Sequence, residues 1–591
     1  LIILFALASI LAPLSLGNVF EEGATVAVEL PTSSAPWTLT DYDSRVLRTV
    51  PAGTRRIELG TLGVGFYRLR QSPSQWVSLA VVAKRRGPVS KTSPIGIDIA
   101  TTWFYTPEEM PTAMHLCQLA RVSQVRDRMR WDQLETSRGT FAPPMSTRND
   151  VAAKLQSAAG FGVLQVNHST PAWAQAETNR FPIDLRDAYR FYQTVAKRWK
   201  GQVTAFEPWN EADIGGFGGH TGAEVAAMQK ASFLGLKSGN PHVTVCENVF
   251  AYHNIPHLQD LDANEAWPYF DTYNLHHYEP IENYPKLYAD HRAVSAGRPM
   301  WVSEFAKSVL WSGDSNLKEL DDATMDEQSE RIAKVHATAL NEGPRALFYF
   351  ILPHYSEGQI QFGLVRLDMT PRASYVAFAA VGRFLADARA VGRVTTDTSI
   401  QAYAFRSKPD GESRTVVVAW REGGPGELPA VQDALAVFDH LGRPLARTTR
   451  IDKAPRYFVL PARARPAVTA APPTPKWRPG KASPIVLQAV LPASDVALPL
   501  SAYSIAPIGT TAVPVSVYNF GPTARRVRLT VKAPKGWRVS IDSAVEVAPM
   551  GRRNLTLNVD PLGNLTGASV ETVSVRGDDG SVVSLRFAPT R

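Results

Sequence analysis

Two glutamates stand where an acidic side chain is costly unless it has a task. Glu211 closes the run Ala205-Phe206-Glu207-Pro208-Trp209-Asn210-Glu211, and Glu304 follows Met300-Trp301-Val302-Ser303. Each ends an apolar, strand-like segment, where a carboxylate needs partners or chemistry to offset the loss of its water. Two carboxyl groups held about 5–5.5 Å apart on either side of an acetal carbon suit a double displacement. One protonates the leaving oxygen while the other attacks the carbon.

Such a pair requires a scaffold that gathers distant parts of the chain at one rim. Between about Ile95 and Ala386, short apolar runs alternate with longer amphipathic stretches, the sequence form of repeated βα units. Eight strand candidates stand out: Ile95–Ile99, Gln124–Arg128, Gly162–Val166, Val203–Phe206, Val243–Val245, Thr272–Leu275, Met300–Ser303 and Ala346–Ile351. Helical stretches between them include Asp187–Trp199, Ala223–Lys237 and Asp326–Asn341. The pattern predicts an α/β chain whose residues 89–386 form a closed (β/α)8, or TIM, barrel rather than an open doubly wound sheet. Active sites of such barrels lie at the C-terminal strand ends. Strands four and seven are on opposite sides, so Glu211 and Glu304 should face each other across the mouth.

The 591 residues exceed what one core can fill, so further domains are expected. Residues 18–88 read as a small β-sandwich, with alternating runs such as Thr25–Leu30 and Trp76–Val82 between Pro and Gly turns. After the barrel, Gln401–Phe405, Thr415–Trp420 and Leu435–Asp439 predict a second sandwich over 387–466, packed on the barrel. Pro472, Pro473, Pro475 and Pro479 mark 467–484 as a stiff linker. Residues 485–591 then read as an immunoglobulin-like β-sandwich, including Val515–Tyr518, Arg526–Lys532 and Thr572–Arg576. Set beyond a spacer, this module is expected to be dispensable for chemistry, with attachment to a cell surface or polysaccharide open to it.

The charge of +8 is scattered among acidic residues, with no basic stripe for nucleic acid. The apolar run Leu1–Gly17, ending in small residues, predicts a secretory signal whose start is missing, and hence a secreted or periplasmic protein. It is too short and too interrupted to anchor the chain, and no other segment is apolar enough for a membrane span. Cys117 and Cys246 fit no metal or redox spacing and read as small buried hydrophobes rather than a disulfide. Gly215-Gly216-Phe217-Gly218-Gly219 lacks the pattern of a dinucleotide loop and reads as a loop over the cleft. Neither a metal nor another cofactor is required.

Trp209-Asn210-Glu211 after strand four and Glu304 after strand seven resemble clan A of the glycoside hydrolases, which includes families 5 and 39. Other segments are similar: Val125-Arg126 with Trp131, Glu135, Gly139 and Phe141; Thr170-Pro171-Ala172-Trp173-Ala174; His276-His277-Tyr278; and Phe362-Gly363-Leu364 with Thr370-Pro371-Arg372. The similarity spans roughly residues 90–385. Many members carry a Trp at the end of strand eight beneath the sugar, whereas Phe348-Tyr349-Phe350-Ile351-Leu352-Pro353-His354 has none.

The resemblance implies a retaining enzyme acting on an oligo- or polysaccharide, with Glu211 as acid/base and Glu304 as nucleophile. It implies that Asn210 bonds the sugar 2-hydroxyl, that Tyr278 holds Glu304, and that Arg126 keeps Glu304 ionised. His276 shares a strand face with Tyr278 and is expected behind the glutamates or on substrate, while His277 points away. Trp173 and Trp209 either stack on a sugar or pack the rim. Asp98 either binds hydroxyls or caps a turn, and Glu207 reads as a buried ion-pair partner. Two other functions stay open: transglycosylation by the same two glutamates, and a carbohydrate-binding scaffold on a decayed barrel.

Overall fold

The computed structural model describes residues 16–72, 75–312, 315 and 318–590. The expected leader over residues 1–17 therefore lies, apart from Leu16 and Gly17, outside the described residues. Eight parallel strands build the centre: β1 (Ile95–Asp98), β2 (Gln124–Met129), β3 (Gly162–Asn167), β4 (Ala205–Glu207), β5 (Thr244–Val245), β6 (Tyr273–His277), β7 (Met300–Phe305) and β8 (Ala346–Tyr349). Every one overlaps its sequence candidate. Hydrogen bonding runs β5-β4-β3-β2-β1-β8-β7-β6. A parallel bridge between Cys246 and Thr272 joins the two ends and closes the barrel.

Alternation along the strands sets what fills the interior. Leu164, Ala205, Cys246, Ala346 and Phe348 form an apolar floor, with Trp301 packed against it. Gly96 faces that floor, where an added Cβ would lie 2.9 Å from Phe348 Cδ1. Only glycine lets β1 pass so close to the ring. Cys117 and Cys246 are both buried free thiols.

The helices differ according to what covers them. In α1 (Leu185–Arg198), the buried Leu185, Ala188, Phe191, Tyr192 and Val195 recur every three or four residues, one stripe facing the barrel. By contrast α2 (Gly222–Gly239) is buried nearly all round, from Ala223 through Ser232. A helix covered on both sides needs a second partner. That partner is the C-terminal sandwich, a four-stranded and a six-stranded sheet.

The contact between barrel and sandwich is extensive and polar as well as apolar. Ala223 of α2 belongs to the sandwich's own core. Lys230 Nζ donates to the carbonyl of Val582 at 3.0 Å. On α3 (Ile255–Ala263) and just beyond it, Asp260 accepts from Ser501 Oγ at 2.7 Å, while Asn264 exchanges bonds of 2.9 and 2.8 Å with the backbone of Ser584. This overturns the expectation of a module hung on a spacer.

The proline-rich stretch is laid along the barrel rather than spanning free space. Val468–Ala470 pairs as the outer strand of the seven-stranded sheet that follows the barrel. Further on, the Arg298 guanidinium lies 3.5 Å from the centre of the Trp477 ring, and Arg478 donates to Asp262 at 2.8 Å. Proline forbids helix but leaves the flanking side chains free to dock. Residues 18–88 supply a five-stranded sheet faced by the ribbon Thr25–Glu29 with Arg56–Thr61. No helix among the described residues is long and apolar enough to cross a membrane.

A chain ending near Pro466 would expose Ala223, strand Lys230 without Val582 and remove the Ser501 bond to Asp260. Calorimetry should therefore show it melting below the full chain, or aggregating. A midpoint within about 2 °C of the full chain, a shift worth less than about 1 kcal/mol, would mean that the sandwich adds nothing to barrel stability.

Candidate active site

The strand ends converge on one buried guanidinium. Arg126, on the inward face of β2, is fully buried. Its Nη1 donates to Asp98 at 2.9 Å and, more closely, to Glu304 Oε1. Its Nη2 donates to Glu207 and to Asn210 Oδ1, both at 2.7 Å. Residues from β1, β2, β4 and β7 thus meet at one planar fork, a geometry that lysine could not reproduce.

A second arginine completes the cluster and was missed in the sequence. Arg128 follows Arg126 by two residues and so shares its face; it pairs closely with Asp98 and reaches Glu304 Oε1 at 3.3 Å. Glu304 also accepts from the Tyr278 hydroxyl at 2.7 Å. Burial alone would raise its pKa, but His276, Arg126, Arg128 and the Tyr278 bond reverse this and hold the carboxyl well below its usual range. Glu304 is therefore an anion near neutral pH. Tyr278, buried beside Glu304 and Glu211, has its pKa raised far above normal and remains a proton donor.

Glu211 is placed differently. Its backbone turns left-handed at φ 46°, a conformation that costs a non-glycine residue roughly 1–3 kcal/mol and is seen where function demands it. The side chain keeps 15% exposure, against 6% for Glu304, so it borders the open cleft. His276 stands between the two, its Nδ1 3.0 Å from Glu211 Oε1 and 3.7 Å from Glu304 Oε2. Burial would lower the pKa of His276, but the two carboxylates raise it. Donor atoms of Glu211, His276 and Glu304 all lie within 4.8 Å of one another. Such a trio could bracket a cation, but here Arg126 and Arg128 already supply Glu304 with positive neighbours.

Other expected site residues fall into two groups. Asn210 is in place: Arg126 can only donate, so the Asn210 carbonyl is taken and its amide nitrogen is left to donate elsewhere. His277 points outward to Tyr288 at 2.9 Å. Trp209, however, is completely buried against Phe181 and His220 and donates to the carbonyl of Phe217 at 3.0 Å. Its faces are occupied, so it cannot stack on a sugar. Asp98 is also fully buried and neither caps a turn nor meets solvent; it anchors both arginines. Glu207 is an ion-pair partner, held further by Asn274 at 2.8 Å. Trp173 packs edge-on to Trp131, with Arg138 5.5 Å from its ring centre.

The exposed aromatic surface lies elsewhere. Trp103, just after β1, is 46% exposed. Arg128 lies 5.5 Å from its ring centre, and His168 meets it edge-on at 4.9 Å. Neither ring nitrogen of His168 has a hydrogen-bond partner among the described residues, although the residue is buried. Burial and the nearby Arg128 and Arg126 keep it neutral, its pKa well below normal. Phe350, just beyond β8, packs against Tyr278 and Arg128.

Replacing Arg126 with Met should cost about 3–5 kcal/mol, the usual penalty for stranding buried charges, because Glu207 and Glu304 would each lose their closest cation. Urea unfolding measures this, and a loss under about 1 kcal/mol would show that the cluster is not a structural hub.

No family model and no curated protein sequence matches the chain. Among solved structures it is similar to a family 39 glycoside hydrolase from the gut symbiont Bacteroides cellulosilyticus WH2, at a TM-score of 0.60 and 16% identity, over 76% of this chain and 100% of that one. A family 30 subfamily 8 xylanase from Clostridium acetobutylicum aligns at a TM-score of 0.44 and 17% identity, over 62% of this chain and 95% of that one. At this level of identity the first likeness establishes a shared fold. The chain therefore has the multidomain (β/α)8 fold of a family 39 glycoside hydrolase, from the clan that its strand-end motifs resemble.

Proposed function

We propose that this protein is a retaining glycoside hydrolase that cleaves β-linked sugars of a polysaccharide or glycoconjugate. The observation that carries the reading is the pair Glu211 and Glu304, with carboxylate oxygens within 4.8 Å and unlike surroundings. Oxygens that approach so closely fit the roughly 5–5.5 Å carboxyl spacing of double displacement better than the roughly 6.5–9.5 Å that accommodates an attacking water. Glu304, held anionic by Arg126, Arg128 and Tyr278, attacks the anomeric carbon. Glu211, bordering the cleft, gives its proton to the leaving oxygen. The glycosyl ester on Glu304 is then hydrolysed by a water whose proton returns to Glu211, and the ring leaves with its original configuration.

Further residues have defined tasks in this scheme. The free amide of Asn210 is set to donate to the sugar 2-hydroxyl, a bond that strengthens as the ring gains positive charge. Trp103 offers the open aromatic face that Trp209 does not. Transglycosylation uses the same steps with a sugar acceptor in place of water. Export, resting on the leader-like run Leu1–Gly17, completes the proposal and predicts a mature N-terminus close to Asn18 on protein recovered outside the cytoplasm.

Azide separates the two glutamates. Glu211→Ala should lose on the order of 10²–10⁴ in kcat on substrates with poor leaving groups, yet still turn over a dinitrophenyl β-glycoside, with azide giving a β-glycosyl azide. Glu304→Ala should instead yield the α-azide. The same anomer from both variants would refute the assignment of roles. Tyr278→Phe removes a donor to the Glu304 anion and so raises its pKa, moving the acid limb of kcat/KM to higher pH. An unmoved limb would mean that Tyr278 does not stabilise the charge.

A further inference from the structure

We infer that the C-terminal sandwich is part of the catalytic unit, with Tyr503 as a positioning residue that fixes the loop carrying Glu211. The inference rests on the glycosidase reading above. Glu211 begins a loop that returns at His220, whose backbone N–H donates to the carbonyl of Ala212 at 2.7 Å. Within it Phe217 places its ring 5.3 Å from that of His168, on the cleft side. The loop contains four glycines, Gly215, Gly216, Gly218 and Gly219, which leave its backbone broad freedom, so beyond its own turn bonds, such as Ile214 N to Glu211 O and Gly219 N to Ile214 O, it depends on outside contacts. Asp213 ties its start to Ala251 N and Tyr252 N, and a larger cluster holds its far end.

There Glu224, in the first turn of α2, is buried and gathers the loop's neighbours. His220 Nδ1 lies 2.6 Å from Glu224 Oε2. Arg180 Nη2 donates to the same oxygen at 2.8 Å, while its Nη1 donates to the carbonyls of Gly218 and Gly219, each at 2.9 Å. The His220 ring stacks on Phe181 at 3.5 Å. The remaining oxygen, Glu224 Oε1, is taken by the hydroxyl of Tyr503, which comes from the C-terminal sandwich. Nearby, Ser501 of the sandwich accepts from Gly222 N at 2.8 Å and donates to Asp260 at 2.7 Å. The sandwich therefore closes the polar cluster to which the C-terminal end of the glycine-rich segment is tied.

Without Tyr503, Glu224 would keep a buried oxygen unsatisfied, and the side chain would be free to turn from Arg180 and His220. The loop would loosen at Gly218 and Gly219, and with it the left-handed turn at Glu211. Glu304 stands on β7, outside this cluster. Loss of Tyr503 should thus impair proton donation and leave nucleophilic attack intact.

The test uses the full chain with Tyr503→Phe and two β-glycosides of one sugar, a methyl glycoside that needs protonation and a dinitrophenyl glycoside that does not. The expected result is a fall in kcat/KM, which reports the steps up to the glycosyl-enzyme, of about tenfold or more on the methyl glycoside and less than about twofold on the dinitrophenyl one. Lys230→Met, which breaks the interface at Val582 away from the loop, should lower the melting temperature without that selectivity. Equal losses on both substrates, or none in a folded Tyr503→Phe protein, would overturn the inference. Should Tyr503→Phe not fold, Glu224→Gln must show the same selectivity. An unmodified protein inactive on a broad panel of both glycoside types would overturn the glycosidase reading itself.

Discussion

Arg126 binds three carboxylates and an amide from three other strands while wholly removed from water. Burying these charges is tolerable only when every partner is present, since a stranded carboxylate costs several kcal/mol. The cluster can form only after β1, β2, β4 and β7 have closed around it, so barrel closure and completion of the site are one event. Beneath it the apolar floor of Leu164, Ala205, Cys246, Ala346 and Phe348 excludes water. That exclusion strengthens each ion pair above.

From this one cation follows the difference between the two glutamates. Glu304 lies against Arg126, Arg128 and the Tyr278 hydroxyl and stays charged. Among the described residues, Glu211 pairs with His276 and with no arginine. Two carboxyl groups in unlike surroundings are what an acid and a nucleophile need. His276 lies near both and ties the proton balance of one to the other.

Much of this was legible in the sequence, and what was not has identifiable causes. Strand periodicity located all eight barrel strands because parallel strands buried on both faces read as apolar runs. Asn210, Arg126 and Tyr278 came with the resemblance to clan A, whereas Glu211 and Glu304 were legible because position at a strand end implies the rim. Trp209 was not, since its neighbours Phe181 and His220 lie in two different loops, and nothing local shows that they cover the indole. Arg128 carried a usable signal, its two-residue spacing from Arg126. Prolines suggested a free spacer at 467–484 because composition reports backbone stiffness and not what Trp477 and Arg478 dock upon. In α2 the overlooked sign that a second domain covers it was the spread of Ala223, Val225, Ala226, Ala227 and Ala231 round the helix, which leaves Glu224 and Lys230 without a continuous polar face.

The most direct measurement is proton NMR of the first sugar released from a β-glycoside by the unmodified enzyme, recorded before mutarotation. With Glu304 as nucleophile and Glu211 as acid/base, the β-anomer should appear first and the α-anomer only later. Initial release of the α-anomer would mean a single displacement by water, and would contradict the covalent role assigned to Glu304.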